Sequence, residues 1–286
     1  MNIINYITWN VDPEIFSLGP LSVRWYGLLF ALGFVLGQQI LSKIYVAEGR
    51  TEGDVDVITL YMIIGTVVGA RLGHTLFYSP EYYLSNPIEI LKIWEGGLAS
   101  HGATIGILFS LWLFSRRHKF DYMWVLDRIV IVVALGGALI RLGNLMNSEI
   151  IGKPSDAPWA FRFLQNNEII NGVAASAVPR HPAQLYESFS VFLLFVLLYW
   201  LWKKYKGALP KGLLFGLFVT LLFTFRFFVE FLKEDQVDKE ATMALNIGQL
   251  LSIPLILIGL FILFRVWQHP KPALPGGRLT EEAVKR

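Results

Sequence analysis

Arg141, Asn144 and Glu149 fall within nine residues of one another, in RLGNLMNSE, where a long apolar stretch ends. An arginine offers a planar fork to two oxygens of a phosphate, and an asparagine amide adds further donors. Arg, Asn and Glu at one boundary are more than a helix cap requires, and capture of a phosphate suits them. Arg226 lies in a second apolar stretch, in FTFRFFVEF, with Glu230 four residues on. That spacing puts both on one helical face and makes the carboxylate a natural ion partner. The alternative for both arginines is structural ion pairing inside a helical bundle. His101 stands in GGLASHGATIG, among glycines 96, 97, 102 and 106. Such a segment is flexible and allows close backbone approach, and a histidine there titrates near neutral pH and can move protons. Its alternative is a helix–helix hydrogen bond. His181 sits between two prolines in PRHPAQLYE, as a rigid binding edge or as a turn, with Glu187 as its expected neighbour.

Other chemistries lack their residues. The chain has no cysteine, so it has no thiolate metal site and no cysteine nucleophile of its own. No HExxH, GxSxG or GxxxxGK[ST] occurs. The five histidines fall on different elements and on both faces, so no metal site is expected.

These residues are set in an unusually apolar chain. Of 286 residues, 54% are hydrophobic and 16% charged, against about 25% charged in a soluble domain. Seven stretches are apolar and long enough to cross a bilayer as helix, which takes about 20 residues. They run over residues 21–42, 57–78, 97–115, 125–146, 184–202, 212–232 and 247–267. The alternating pattern of an outer-membrane barrel is absent. The expected fold is all-α: a polytopic membrane protein of seven transmembrane helices, one integral-membrane domain over residues 1–268 and a tail over 269–286. A small outer head is expected between spans four and five. Residues 1–20 read as an outer-face segment, with Ile3, Ile4, Tyr6, Ile7 and Trp9 in the headgroup layer.

Charge sets the orientation. Fifteen basic residues follow spans one, three, five and seven, six lie on the opposite side, and Arg24, Arg71, Arg141 and Arg226 fall within spans. Basic residues mark the cytoplasmic face, so the N-terminus is expected outside and the C-terminus in the cytoplasm. The net charge of +3 is spread over short loops, which argues against nucleic acid as a partner. A charge near the bilayer centre costs about 2.5–3.5 kcal/mol, so the span arginines need partners or a wet cavity. Gly65, Gly69 and Gly73, spaced by four, suit close helix packing.

The segment RLGNLMNSEIIG, residues 141–152, resembles the signature of the phosphatidylglycerol–prolipoprotein diacylglyceryl transferase family. WYG at 25–27, GGLASHGATIG at 96–106, RHPAQLYE at 180–187, FRFFVEFLKEDQ at 225–236 and IGQLLSIP at 247–254 resemble its other marks, in order. The resemblance covers nearly the whole chain. It implies transfer of the diacylglyceryl group of phosphatidylglycerol to the lipobox cysteine of a prolipoprotein signal peptide, with a thioether formed and glycerol-1-phosphate released. No organic cofactor is suggested, because phosphate is already a competent leaving group. It implies a bacterial cytoplasmic (inner) membrane enzyme whose site faces the outer leaflet. Arg141 and Arg226 would hold the lipid phosphate, which would supply their counter-charge. His101 would take the cysteine proton, unless the arginines lower the thiol pKa without it. Tyr26, Asn144, Glu149 and Glu230 would position headgroup and arginines, and His181 would line the substrate site. The chain departs from the family pattern in four places: Ala103 where the second glycine of His-Gly-Gly is usual, Lys233 and Leu222 where arginine and tyrosine occur, and His74 where an aromatic is common. Two other classes stand beside the transferase. An anion transporter should show inverted repeats, and spans one to three do not resemble four to six. A structural membrane protein would not need Arg141, Asn144 and Glu149 at one mouth.

Overall fold

The computed structural model describes residues 6–19, 21–93, 96–170, 172–205, 208–234, 243–271, 273 and 275–278. The expectations for Ile3 and Ile4, and the last eight residues of the tail, lie outside them. The protein is mostly helical. The long helices are α1 (Trp25–Ala47) and α2 (Glu52–Phe77), then, after a short α3 (Pro80–Ser85), α4 (Ser100–His118), α5 (Tyr122–Met146), α6 (Ala183–Tyr205), α7 (Leu213–Val229) and α8 (Ile247–Gln268). Six of them are long and apolar enough to cross a membrane, which makes the chain a multi-pass membrane protein. The third expected span is α4. It is a helix of 19 residues, but Ser100, His101, Thr104, Ser110, Ser115, Arg116 and Arg117 dilute its apolar character, so composition supports six spans where seven were expected.

The all-α expectation also needs correction. Three two-stranded sheets occur: β1 (Ile7–Trp9) pairs in parallel with β4 (Phe161–Phe163), β2 (Glu14–Leu18) with β3 (Leu21–Arg24), and β5 (Ile169–Ile170) with β6 (Val173–Ala174). The first span therefore begins at Trp25, because Leu21–Arg24 is spent on a hairpin. Ser22 Oγ donates to Glu14 at 2.6 Å across that hairpin, and this bond holds the Glu14 carboxyl below its ordinary pKa. Trp9 packs tilted against Phe161, ring centroids 5.4 Å apart, and its indole N–H donates to the Leu145 carbonyl at 3.1 Å. Leu145, Ile151, Phe161, Phe163 and Ala175 form a small core there, separate from the core of the bundle.

Helix ends are fixed by local chemistry. Thr51 and Asp54 form a capping box that starts α2, Asp121 caps α5, and Asn246 and Gln249 form a second box that starts α8. The helices then pair antiparallel at close range. Gly65, Gly69 and Gly73 of α2 face Gly106 and Gly102 of α4, so that a methyl on Gly73 would stand 2.6 Å from the Gly102 Cα. Gly33 of α1 faces Gly136 of α5, and Ser188 of α6 donates to the Ala138 carbonyl of α5 at 2.9 Å. Without a hydrophobic drive between helices in lipid, such close backbone approach is what holds them.

The pairing sorts the polar groups into two ends. At one end, Glu48 after α1 accepts a two-point contact from Arg128 of α5, at 3.0 and 2.8 Å. It also accepts indole N–H donors from Trp124 and Trp202 at 3.0 and 2.7 Å. Asp127 caps the start of α7 through Gly212 N and Phe215 N. The tail packs here too, since Asp121 N donates to the Gly277 carbonyl at 2.7 Å and Lys211 N to that of Lys271 at 2.9 Å. The other end gathers the start of α1, α4, α6 and α8 and the close of α2, α5 and α7.

Candidate active site

At that second end, Arg141 reaches from the last turns of α5. Its Nε lies 2.9 Å from Glu187 Oε2 on α6, and its Nη1 donates to Asn144 Oδ1 at 3.2 Å. Glu187 and Lys233 meet at 3.4 Å, and the same ammonium lies 2.9 Å from Glu230 Oε1. Glu230 in turn stands 3.5 Å from Arg226 Nε. One unbroken chain of alternating charge thus joins the two arginines: Arg141, Glu187, Lys233, Glu230, Arg226. Its centre is buried, with Lys233 at 3% and Glu230 at 4% exposure, whereas Arg141 and Arg226 expose 22% and 39% of their side chains. Among the described residues, Arg141 Nη2 and both Nη groups of Arg226 have no partner. The carboxylates pair with the Nε sides and leave Arg141 Nη2 and both Nη groups of Arg226 for an anion.

The turn after α5 is built around Glu149. Its Oε1 accepts from Asn144 Nδ2 at 2.7 Å and from Asn147 Nδ2 at 3.2 Å, while its backbone carbonyl accepts from Gln184 Nε2 at 2.6 Å. Ser148 and Ile150, on either side of it, hold left-handed backbone at φ 53° and 56°. For a β-branched residue this is strain, worth about 1–3 kcal/mol, and such strain collects at working sites. Tyr26, at the start of α1, packs on Gly143, where an added methyl would come within 2.7 Å of its ring. Gly152 lies equally close under His181 and Leu232.

The expected site residues therefore divide. Arg141, Asn144, Glu149, Glu230, Arg226 and Tyr26 come together. His101 stands in the first turn of α4, exposed, with its ring 5.4 Å from that of Phe77 and 5.9 Å from that of Tyr78. Among the described residues it makes no hydrogen bond or ion pair with the charge chain. Among the described residues, His181 makes no hydrogen bond or ion pair with Glu187. Its Nδ1 is 3.1 Å from the Tyr186 hydroxyl, which also accepts from Trp159, because Tyr186 and Glu187 leave adjacent positions of α6 on different faces. The expected pairing of Arg226 with Glu230 is present, and Glu187 adds a carboxylate partner for Arg141 beside the counter-charge expected from the substrate phosphate. Arg71 needs no anion. Its guanidinium donates to the carbonyls of Glu89, Ile90, Gly96 and Gly97, with the Tyr83 ring at 5.0 Å. It clamps the loop that leads into α4 and His101.

Three members were missed or misread. Lys233 reads as an outer loop charge and is instead the buried centre. Glu187 belongs to Arg141. Asn246, the cap of α8, donates to Glu230 at 3.2 Å. The available signal was spacing: Glu230 and Lys233 are three apart, as are Gln184 and Glu187 in RHPAQLYE.

Comparison with known proteins converges on one family. The model of the family described as prolipoprotein diacylglyceryl transferase matches residues 13–265. A phosphatidylglycerol–prolipoprotein diacylglyceryl transferase of Tolumonas auensis is 50% identical over 256 residues, 89% of this chain and 95% of the relative. Proteins of the same name from Chloroherpeton thalassium and Bacteroides fragilis are 47% and 45% identical, covering 93% and 92% of this chain and 96% of each relative.

Proposed function

The chain belongs to the prolipoprotein diacylglyceryl transferase family, and from that premise we infer how it works. It is a membrane transferase of lipoprotein maturation that moves the diacylglyceryl group of phosphatidylglycerol to prolipoprotein. The acceptor is the lipobox cysteine of the signal peptide. Its thiolate sulfur forms a bond to the terminal carbon of the diacylglyceryl group. The bond from that carbon to the phosphate oxygen breaks, and the electron pair leaves on glycerol-1-phosphate.

The observation that carries this reading is the pair of guanidiniums at the ends of one ion chain, with Arg141 Nη2 and both Nη groups of Arg226 without a partner among the described residues. Arg141 and Arg226 bind the lipid phosphate and stabilise the charge that grows on its leaving oxygen. Asn144 and Glu149, locked to each other, fix Arg141. Glu230 fixes Arg226, and Tyr26 walls the site through its contact with Gly143. His101 takes the thiol proton when the signal peptide lies between α4 and the arginines. His181 lines the outer edge.

Seven spans, with α4 crossing beside α2 along the glycine seam, put the N-terminus and this site on the outer side. The short strands and residues 147–182 form the outer head, and the tail lies in the cytoplasm of a bacterial inner membrane. The excess of basic residues at the Glu48 end supports that orientation. Incubation of purified protein with phosphatidylglycerol and a lipobox peptide should add one diacylglyceryl unit to the cysteine, read by mass spectrometry. No addition, with anion uptake into liposomes instead, would favour a transporter. If His101→Gln keeps the wild-type rate, the proton-acceptor role falls.

A further inference from the structure

Among the described residues, Lys233 is the one cation that touches both Glu187 and Glu230, the carboxylates of the ion chain. Its Nζ lies 2.9 Å from Glu230 Oε1 and 3.4 Å from Glu187 Oε1. Both contacts are buried, where a charge without partners is costly. Glu187 sits on α6 and Glu230 in the turn that follows α7, and each pairs with the Nε side of one arginine. We propose that Lys233 is a positioning residue of the transfer reaction: it ties the two carboxylates together and through them aims the outer forks of Arg141 and Arg226 at a single phosphate. The proposal rests on the reading that these arginines bind the lipid phosphate.

Two features make Lys233 fit that task. First, its place is fixed from both sides by backbone. Lys153 N donates to the Leu232 carbonyl at 2.8 Å, Glu234 N donates to that of Ile151 at 3.2 Å, and Lys233 bridges Gly152. The ammonium is therefore anchored to the same turn that carries Glu149. Second, it sets the charge of the ion chain. Three cations against two carboxylates leave these five residues at +1, and they would be neutral without Lys233. Without Lys233, two buried carboxylates face each other across the site with only the arginines to hold them, and the arginines turn inward. The same loss weakens the hold on an anion.

The test compares Lys233→Arg, Lys233→Gln and the double variant Lys233→Gln/Glu230→Gln in the full-length protein, with phosphatidylglycerol vesicles and a lipobox peptide. KM for the lipid, kcat and the thermal midpoint are read together. Lys233→Gln should raise KM by on the order of tenfold or more beyond any loss of stability, and Lys233→Arg, which keeps the charge, should restore KM to within a few-fold of wild type. The double variant removes one charge of each sign, so it should keep a thermal midpoint at or above that of Lys233→Gln, and its KM should also be raised because Arg226 loses its guide. A wild-type KM in Lys233→Gln or in the double variant overturns the proposal, as does a Lys233→Arg enzyme as impaired as Lys233→Gln. Absence of transfer by the wild-type protein would instead overturn the transferase reading itself.

Discussion

Gly69→Ala tests whether the glycine seam between α2 and α4 holds the site in place. A methyl at residue 69 would stand 2.5 Å from the Gly102 carbonyl oxygen and 2.8 Å from the Gly106 Cα. Carbon and carbonyl oxygen approach no closer than about 3.3 Å even in favourable C–H···O contacts, so the deficit is about 0.8 Å. Both obstructing atoms are backbone, and no side chain can rotate away. The helices must part by roughly that distance or α4 must tilt. Overpacking of this kind costs about 1–3 kcal/mol, and a chain of this size loses about 2–4 °C of thermal midpoint per kcal/mol. His101 adjoins Gly102, so it moves with the seam, and a displacement of about 1 Å at a reacting group costs on the order of 100-fold in rate. The assay is thermal unfolding in detergent beside the rate of transfer to a lipobox peptide. Gly136→Ala is the control, because a methyl there meets nothing within 4 Å. It should leave the rate unchanged and hold or raise stability, alanine being the better helix former by about 1 kcal/mol. A Gly69→Ala protein with wild-type midpoint and a rate within about twofold of wild type would refute the argument.

The remaining predictions concern stability at the two ends. Glu48→Ala strips Arg128, Trp124 and Trp202 of their shared acceptor, and an orphaned buried charge of this kind costs about 3–5 kcal/mol. The thermal midpoint should fall steeply while KM for lipid in the folded fraction stays unchanged, since the site is at the other end. Ser148→Gly relieves left-handed backbone at a buried serine whose hydroxyl has no partner among the described residues, and should raise stability by about 1 kcal/mol. A fall in the midpoint would show that the serine side chain holds the turn.

Much of the architecture was legible in the residues because a membrane span announces itself by length and apolarity. Six of the seven stretches became apolar helices at nearly the expected positions. α4 was the difficult one, since the glycines, His101 and the serines that let it work against α2 are what dilute its hydropathy. The strands at the N-terminus were not legible: three to five residues carry no readable period, and β1 finds its partner in Phe161–Phe163, more than 150 positions away. In the site, local spacing carried the reading as far as it reached. Arg141, Asn144 and Glu149 lie on one turn and its exit, and Arg226 and Glu230 are one helical turn apart. The tie between Glu187 and Lys233 crosses 46 positions and two helices, and nothing in either segment sets that register. Arg71 was read as a buried charge in need of partners or a wet cavity, and its partners are backbone carbonyls, which no residue type signals.

The central claim is that two guanidiniums at the ends of one ion chain hold the phosphate that leaves. The most direct measurement is the single-turnover rate of diacylglyceryl transfer from phosphatidylglycerol to a lipobox peptide by folded Arg141→Ala and Arg226→Ala proteins. Loss of one such charge-stabilising group costs on the order of 100- to 1000-fold in rate, and each variant should show a loss of that size with its thermal midpoint largely kept. A rate within a few-fold of wild type in either variant would contradict the account.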